Sequence, residues 1–340
     1  MDELGIVKEQ YIKLFKNSDI QITQLPRSGS DRRYFRISDK SGRTLIGAYN
    51  TNLEENEAFT GFTKHFRSKN LPVPEVLGYI PSSYVYFLTD LGDVNLYTWL
   101  HNRPDINEFN DETKKLYRKV LDSLIVFQVE GIKDLDLNLC YPHKSFDRQS
   151  MIWDLNYFKY MFLKLLAVPF NERELENDFN TFCDYLLDAG QDYFLYRDFQ
   201  TANIMVIENE PWFIDYQGGR KGAPQYDVAS LLYDAKIPMS EKDREELLSY
   251  YAGNFCARTG EDKEKFRQHF TGFSMIRLMQ ALGAFGFRGL YEKKPTFAES
   301  IVPGVGILTG IAQKAQDHIR LPELFKVVNA IHETPVFKKL

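Results

Sequence analysis

Tyr196-Arg197-Asp198-Phe199-Gln200-Thr201-Ala202-Asn203-Ile204-Met205-Val206-Ile207, then Glu208-Asn209-Glu210-Pro211, then Trp212-Phe213-Ile214-Asp215, interrupts an otherwise helical half of the chain. Two short apolar pieces, Asn203 to Ile207 and Trp212 to Asp215, joined by turn formers, predict a β-hairpin. Asp198 and Asn203 fall at or just before the first strand and Asp215 ends the second, so all three can face one cleft. Phosphoryl transfer needs a group to accept a hydroxyl proton and oxygen ligands to hold Mg²⁺ on the phosphates, with little covalent work by the protein. Mg²⁺ takes few protein ligands and keeps water and phosphate oxygens for its other positions. Asp198 is therefore the candidate catalytic base, and Asn203 and Asp215 are the candidate metal ligands.

Upstream of this hairpin the pattern is α+β. Ile6 to Phe15 has helical spacing, Tyr34 to Ser38 and Thr44 to Tyr49 read as a hairpin around Asp39-Lys40-Ser41-Gly42, and Asn56 to Arg67 places Phe59, Phe62 and Phe66 on one helical face. Glu75 to Tyr79 and Tyr84 to Thr89 make a second strand pair. Beyond Asp90-Leu91-Gly92-Asp93 come long amphipathic segments, Glu112 to Val129 and Met151 to Leu166, and Ser240 with Asp243 forms a capping box for a helix reaching about Phe255. The expected organisation is a sheet-bearing lobe over residues 1–90 and a mostly helical lobe over 91–340.

Composition excludes several functions. A net charge of -5 argues against nucleic-acid binding, which calls for clustered excess Lys and Arg. Three dispersed cysteines, Cys140, Cys183 and Cys256, give neither a disulfide framework nor a thiolate zinc site. The six histidines have no ligand spacing. No basic-then-apolar leader and no uninterrupted apolar run of membrane length stands out, so the expectation is a cytoplasmic enzyme with no membrane partner.

Tyr196 to Met205 followed by Phe213-Ile214-Asp215-Tyr216-Gln217 resembles the catalytic loop and metal motif of the aminoglycoside phosphotransferase family, whose fold is protein-kinase-like with two lobes. The resemblance runs from about Gln21 to Phe297 and is most specific from Tyr196 to Leu231. It implies ATP and Mg²⁺ as cofactors and a small-molecule acceptor. Within it, Leu88-Thr89-Asp90-Leu91-Gly92 is similar to the hinge, so Thr89, Asp90 and Leu91 would hold adenine. Asp227 matches a following Asp-helix motif with a structural role, and Tyr196 stands where many relatives have His, altering packing behind the loop. Ser30 to Arg36, Gln217-Gly218-Gly219-Arg220 and Leu282-Gly283-Ala284-Phe285 are similar to the sugar kinases that phosphorylate N-acetylmuramate or N-acetylglucosamine at the anomeric hydroxyl. The stretch Gly218 to Lys221 is basic, which suits an acidic or neutral acceptor better than a polycation. Arg220, Asp154 and Arg288 are the candidate substrate contacts.

Two features depart from the kinase pattern. The strand Thr44 to Tyr49 lacks the lysine that usually grips phosphate and pairs with a helix glutamate. Glu57, with Glu54 and Glu55 as rivals, is the candidate glutamate, and Arg33 or Arg36 the candidate cation. The phosphate loop holds one glycine, with Ser28, Gly29 and Ser30 as candidate donors to phosphate. The missing lysine leaves a nucleotide-binding pseudokinase as an alternative, beside an aminoglycoside or choline-type kinase.

Overall fold

The computed structural model describes residues 2–26, 31–103 and 109–340. Helix α1 (Glu3–Phe15) opens the chain, with the Asp2 carboxylate accepting from Gly5 N at 2.9 Å as its N-cap. Five antiparallel strands follow, β1 (Ile20–Gln24), β2 (Arg33–Asp39), β3 (Thr44–Tyr49), β4 (Val76–Ile80) and β5 (Val85–Thr89), in the spatial order β1-β2-β3-β5-β4. Between β3 and β4 the chain runs through α2 (Leu53–Ser68), whose N-cap is Asn52.

Alternation along the strands decides what each face buries. Phe35, Ile37, Val85 and Phe87 point to α1 and cluster with Val7 and Tyr11. Ala48, Tyr86 and Leu88 point the other way and join Phe59, Phe62 and Phe66 of α2. That second cluster continues without a break into Phe127, Phe194, Tyr196 and Tyr216, so α2 bridges the sheet and the helical half.

The remainder is built from α3 (Leu96–His101), α4 (Asp111–Val129), α5 (Arg148–Phe158), α6 (Glu172–Leu187), α7 (Gln225–Leu232), α8 (Glu241–Thr259), α9 (Lys263–Phe285), α10 (Pro295–Ala298), α11 (Ile301–Ala315) and α12 (Pro322–Ala330). Among them lie β6 (Tyr193–Leu195), β7 (Ile204–Ile207), β8 (Glu210–Phe213) and β9 (Arg220–Gly222), paired β6 with β9 and β7 with β8. Ser240 caps α8 as the sequence predicts, accepting from Asp243 N at 3.1 Å, and the helix runs on to Thr259. The helix predicted over Met151 to Leu166 instead splits: α5 ends at Phe158 and continues as a π-helical turn, Lys159–Leu163. A second π-helical turn, Gly286–Tyr291, extends α9. The two meet closely, because a Cβ on Gly286 would lie 1.9 Å from the Met161 carbonyl oxygen. Backbone cannot retreat as a flexible side chain can. Gly286→Ala is therefore expected to lower stability by at least ~1–3 kcal/mol, the usual cost of overpacking, read as the midpoint shift in urea denaturation.

One helical stretch among the described residues, Pro295–Ala315, is long and apolar enough to cross a membrane. Its Ile301, Val305, Leu308 and Ile311 are buried in the core beneath α9, which makes it a core helix of this fold.

Candidate active site

Glu208 and Asn209, both at positive φ (52° and 61°), form the tight turn between β7 and β8. The four-residue turn expected from the sequence is thus two residues, with Pro211 inside β8 opposite Val206. A proline is tolerated there because this ladder has only two strands. Before the hairpin, one carboxylate holds two successive amides of the loop from β6. Asp227 on α7 accepts from Tyr196 N at 2.7 Å and Arg197 N at 2.9 Å. Burial pushes its carboxyl up to about 7, while those two N–H groups pull it down. Tyr196 is fully buried, with its hydroxyl donating to the Ile214 carbonyl at 2.6 Å, so it ties the loop to β8 from behind.

Arg197 takes a left-handed conformation (φ 83°), which its side-chain contacts sustain. Its guanidinium grips Asp154 on α5 with two bonds, of 2.7 and 2.6 Å, and donates to the Tyr226 hydroxyl at 2.6 Å. Asp154, expected to contact substrate, is instead buried in this pair and holds the loop in place. With its neighbour anchored, Asp198 projects into the cleft. Asn203 Nδ2 donates to the Asp198 carbonyl at 2.9 Å and to Asp215 Oδ2 at 3.2 Å, which brings the three expected residues together. Asp215 sits at φ 68°, and its other oxygen accepts from Gln217 Nε2 at 2.8 Å. The Asn203 amide nitrogen is committed to these two acceptors, which leaves its side-chain oxygen as the atom able to act as a ligand. One amide oxygen and carboxylate oxygens suit Mg²⁺, which prefers few, hard protein ligands.

Asp198 lies at the floor of the cleft with protein on most sides. Burial raises its carboxyl above the usual range; Arg277 and then Arg197 pull it down, Asp215 pushes it up and Arg220 pulls it down.

The cation facing this trio is Arg32. Its guanidinium donates to Glu55 Oε1 at 2.6 Å and to the Tyr34 hydroxyl at 2.7 Å, and lies 3.5 Å from Asp215 Oδ1. Neither Arg33 nor Arg36 occupies that place, and the strand pleat says why. Arg33 points to the α1 face, donating to the Asp31 carbonyl and lying 3.6 Å from Glu3. Arg36 shares a face with Arg32 but lies four residues, about 13 Å, further along the strand. There it clamps Asp90 with bonds of 2.6 and 3.0 Å and reaches Asp93 at 2.8 Å, so it fastens β2 to the linker. Glu57 likewise gives way to Glu55. Two positions along a helix is more than half a turn, which leaves Glu57 exposed beside Tyr79. Asn50 Nδ2 holds the second Glu55 oxygen at 2.7 Å.

Thr89 ends β5 with its hydroxyl accepting from Glu75 N at 2.9 Å, and Asp90 and Leu91 lead into the linker. Ser28, Gly29 and Ser30 lie outside the described residues. Arg288, on the π-helical turn after α9, pairs with Glu292 at 3.0 Å, with Tyr157 of α5 in its field. Arg220, on β9, is buried beside the loop. A depression of about 1070 Å³ between α8, α9 and α11 carries mixed charge and shares no residue with the trio.

Residues 21–267 match the Phosphotransferase enzyme family, and they span more than half of the chain. The chain belongs to the phosphotransferase enzyme family. It is 25% identical over 290 residues to an N-acetylmuramate/N-acetylglucosamine kinase of Neisseria meningitidis, covering 82% of this chain and 81% of that one. A kinase of the same name from Pseudomonas aeruginosa is 24% identical over 226 residues, 65% of this chain and 62% of that one. In fold the chain is similar to a choline kinase of Cryptosporidium parvum, with a TM-score of 0.63 at 12% identity over 96% of this chain and all of that one. The protein is thus an enzyme of phosphoryl transfer with the kinase-like fold anticipated from its sequence.

For a phosphotransferase enzyme of this family, the residues not anticipated from the sequence are Arg32, Glu55 as the chosen glutamate, and Asp234. Asp234 accepts from the Thr201 hydroxyl at 2.7 Å and so pins the turn before Asn203. Arg32 had a readable signal in the alternation Arg32, Tyr34, Arg36. Arg277, which the sequence offers only as a residue lining a pocket between helices or packing in the core, is carried to the loop by the packing of α9 on α7.

Proposed function

We propose that this enzyme moves the γ-phosphoryl group of ATP to the anomeric hydroxyl of an amino sugar, N-acetylmuramate or N-acetylglucosamine. The convergence of Asp198, Asn203 and Asp215 opposite the Arg32–Glu55 pair carries this reading. In it, Asp198 accepts the proton of the sugar hydroxyl as the oxygen attacks phosphorus, the bond to the β-phosphate oxygen breaks, and ADP leaves. Asn203 and Asp215 would hold Mg²⁺, which when bound neutralises charge on the phosphate oxygens. Arg32 supplies the fixed positive charge on the nucleotide side, and Thr89 to Leu91 present backbone to the base. The choice of acceptor is supported by the two sugar-kinase relatives and by the basic segment Gly218 to Lys221.

Purified protein with Mg²⁺ and ATP is expected to convert at least one of the two sugars at ~1–100 per second. The phosphate should be released by mild acid, as an anomeric phosphate is and a 6-phosphate is not. Turnover of choline or an aminoglycoside with neither sugar consumed would refute the assignment.

A further inference from the structure

Arg220 is a buried cation without an ion-pair partner among the described residues. Only 6% of it is exposed, and its two hydrogen bonds go to backbone carbonyls, Nε to Gly218 at 3.0 Å and Nη2 to Tyr141 at 3.3 Å. No carboxylate among the described residues forms an ion pair with it, and the nearby Asp154 is already held by both arms of Arg197. A guanidinium removed from water without a counter-ion is costly. Burial and the neighbouring Arg197 accordingly lower its hold on its proton, to a pKa of about 10. The next residue, Lys221, is turned outward to Asp192 at 2.6 Å, so β9 delivers Arg220 inward by design of the strand alternation.

What lies inward is the reaction centre. Gly218, whose carbonyl holds Arg220, is close enough to the base that a Cβ there would sit 3.9 Å from Asp198 Oδ2. On the other side, the Tyr141 segment leads to His143, whose ring meets Trp153 edge-on at 4.7 Å, and the Trp153 indole is 46% exposed. Arg220 thus joins, through backbone carbonyls, the Gly218 turn beside the base and the Tyr141 segment that leads towards an exposed aromatic side chain. The anion it lacks could be a carboxylate of the acceptor or an oxygen of the transferring phosphoryl group. Position favours the acceptor: the phosphate side already has Arg32, which contacts Asp215, whereas Arg220 lies towards Tyr141 and Trp153. Arg277, the other buried arginine near Asp198, is less available. It donates to the Ser230 hydroxyl at 2.9 Å and to Gln280 at 2.7 Å, and lines a small cavity of about 20 Å³.

Building on the sugar-kinase reading, we infer that Arg220 binds a carboxylate on the acceptor, which makes the enzyme selective for an acidic amino sugar over its neutral counterpart. The planar fork of a guanidinium matches a carboxylate, and a buried charge pair of this kind is strongly felt when one partner is removed. N-acetylmuramate carries a lactyl carboxylate. Its methyl ester has nearly the same shape without the charge, and N-acetylglucosamine lacks the group altogether.

The test compares kcat/KM of the wild-type enzyme for the acid, the ester and the neutral sugar, then repeats it with Arg220→Gln and Arg220→Lys. The acid is expected to exceed the ester by at least ~30-fold, chiefly through KM, and Arg220→Gln should erase that preference while Arg220→Lys keeps part of it. Equal use of acid and ester by the wild-type enzyme overturns the proposal without any variant, even if Arg220→Gln fails to fold. A uniform loss on acid and ester in Arg220→Gln also overturns it, and moves the anion to the nucleotide. Absence of turnover with all three sugars removes the sugar-kinase reading and this one with it, whereas turnover without charge preference removes only this one.

Discussion

Asp198→Asn is expected to lower kcat by ~10²–10⁴-fold, the range for loss of a general base, with nucleotide affinity changed by no more than about 3-fold. Asparagine keeps the size of the side chain, and the loop is fixed by contacts that do not involve this carboxylate: Asp227 to the 196 and 197 amides and Asp154 to Arg197. Steady-state rates beside calorimetric nucleotide binding separate the two effects. Turnover equal to wild type would remove Asp198 from the mechanism. The pH profile adds a second check. The base works only when ionised, and burial raises its carboxyl, so kcat/KM falls on the acid side at a higher pH than an ordinary aspartate would give. Arg277 is the strongest charge opposing that rise, so Arg277→Gln is expected to move the acid limb further up.

The second large effect belongs to Arg32. Arg32→Met should reduce kcat/KM for the nucleotide by ~10²–10³-fold, the size expected for removing one preorganised charge from a phosphoryl-transfer site. Only 2% of the Arg32 side chain is exposed, so the variant also takes the counter-ion from the partly exposed Glu55 and Asp215, at a cost of ~1–3 kcal/mol. Thermal melting has to accompany the kinetics. The double variant Arg32→Met with Glu55→Met removes both charges of the main pair and should recover stability without recovering turnover. Unchanged nucleotide kinetics in folded Arg32→Met would defeat the assignment.

The contrast between Arg32 and Asp198 shows what is legible in such a chain. Asp198, Asn203 and Asp215 lie within one short hairpin, where local spacing dictates proximity. The two-lobe fold is legible for a similar reason, since the pleat and helical periods of β2, β3, α2 and α4 are strong. Arg32 depends on a strand alternation that was visible, combined with a pairing to α2 that was not. Arg36 looked equivalent until the distance along the strand placed it against Asp90. Asp154 looked like a substrate contact because nothing in sequence reveals that Arg197, more than forty residues later, consumes both of its oxygens. The π-helical turns after α5 and α9 left no period to read, being dictated by the approach of Gly286 to Met161.

The aromatic face of α2 also bears on how such an enzyme can be controlled. Phe59 lies parallel to Tyr216 at 5.0 Å, Phe66 packs on Phe127 and Phe194 at 5.0 Å, and the Thr63 hydroxyl meets that of Tyr216 at 2.5 Å. Protein kinases are switched by positioning the helix that carries the glutamate partner of the phosphate-binding cation. Here an outward swing of α2 would break five ring pairs, those of Phe59 with Tyr216, Phe62 with Phe194, and Phe66 with Phe127, Phe194 and Tyr216, at ~0.5–1.5 kcal/mol each beyond the apolar area exposed, and would open the core shared by both lobes. The Glu55–Arg32 contact is thereby tied to the packing of the core that both lobes share, so the two cannot part without disturbing that core.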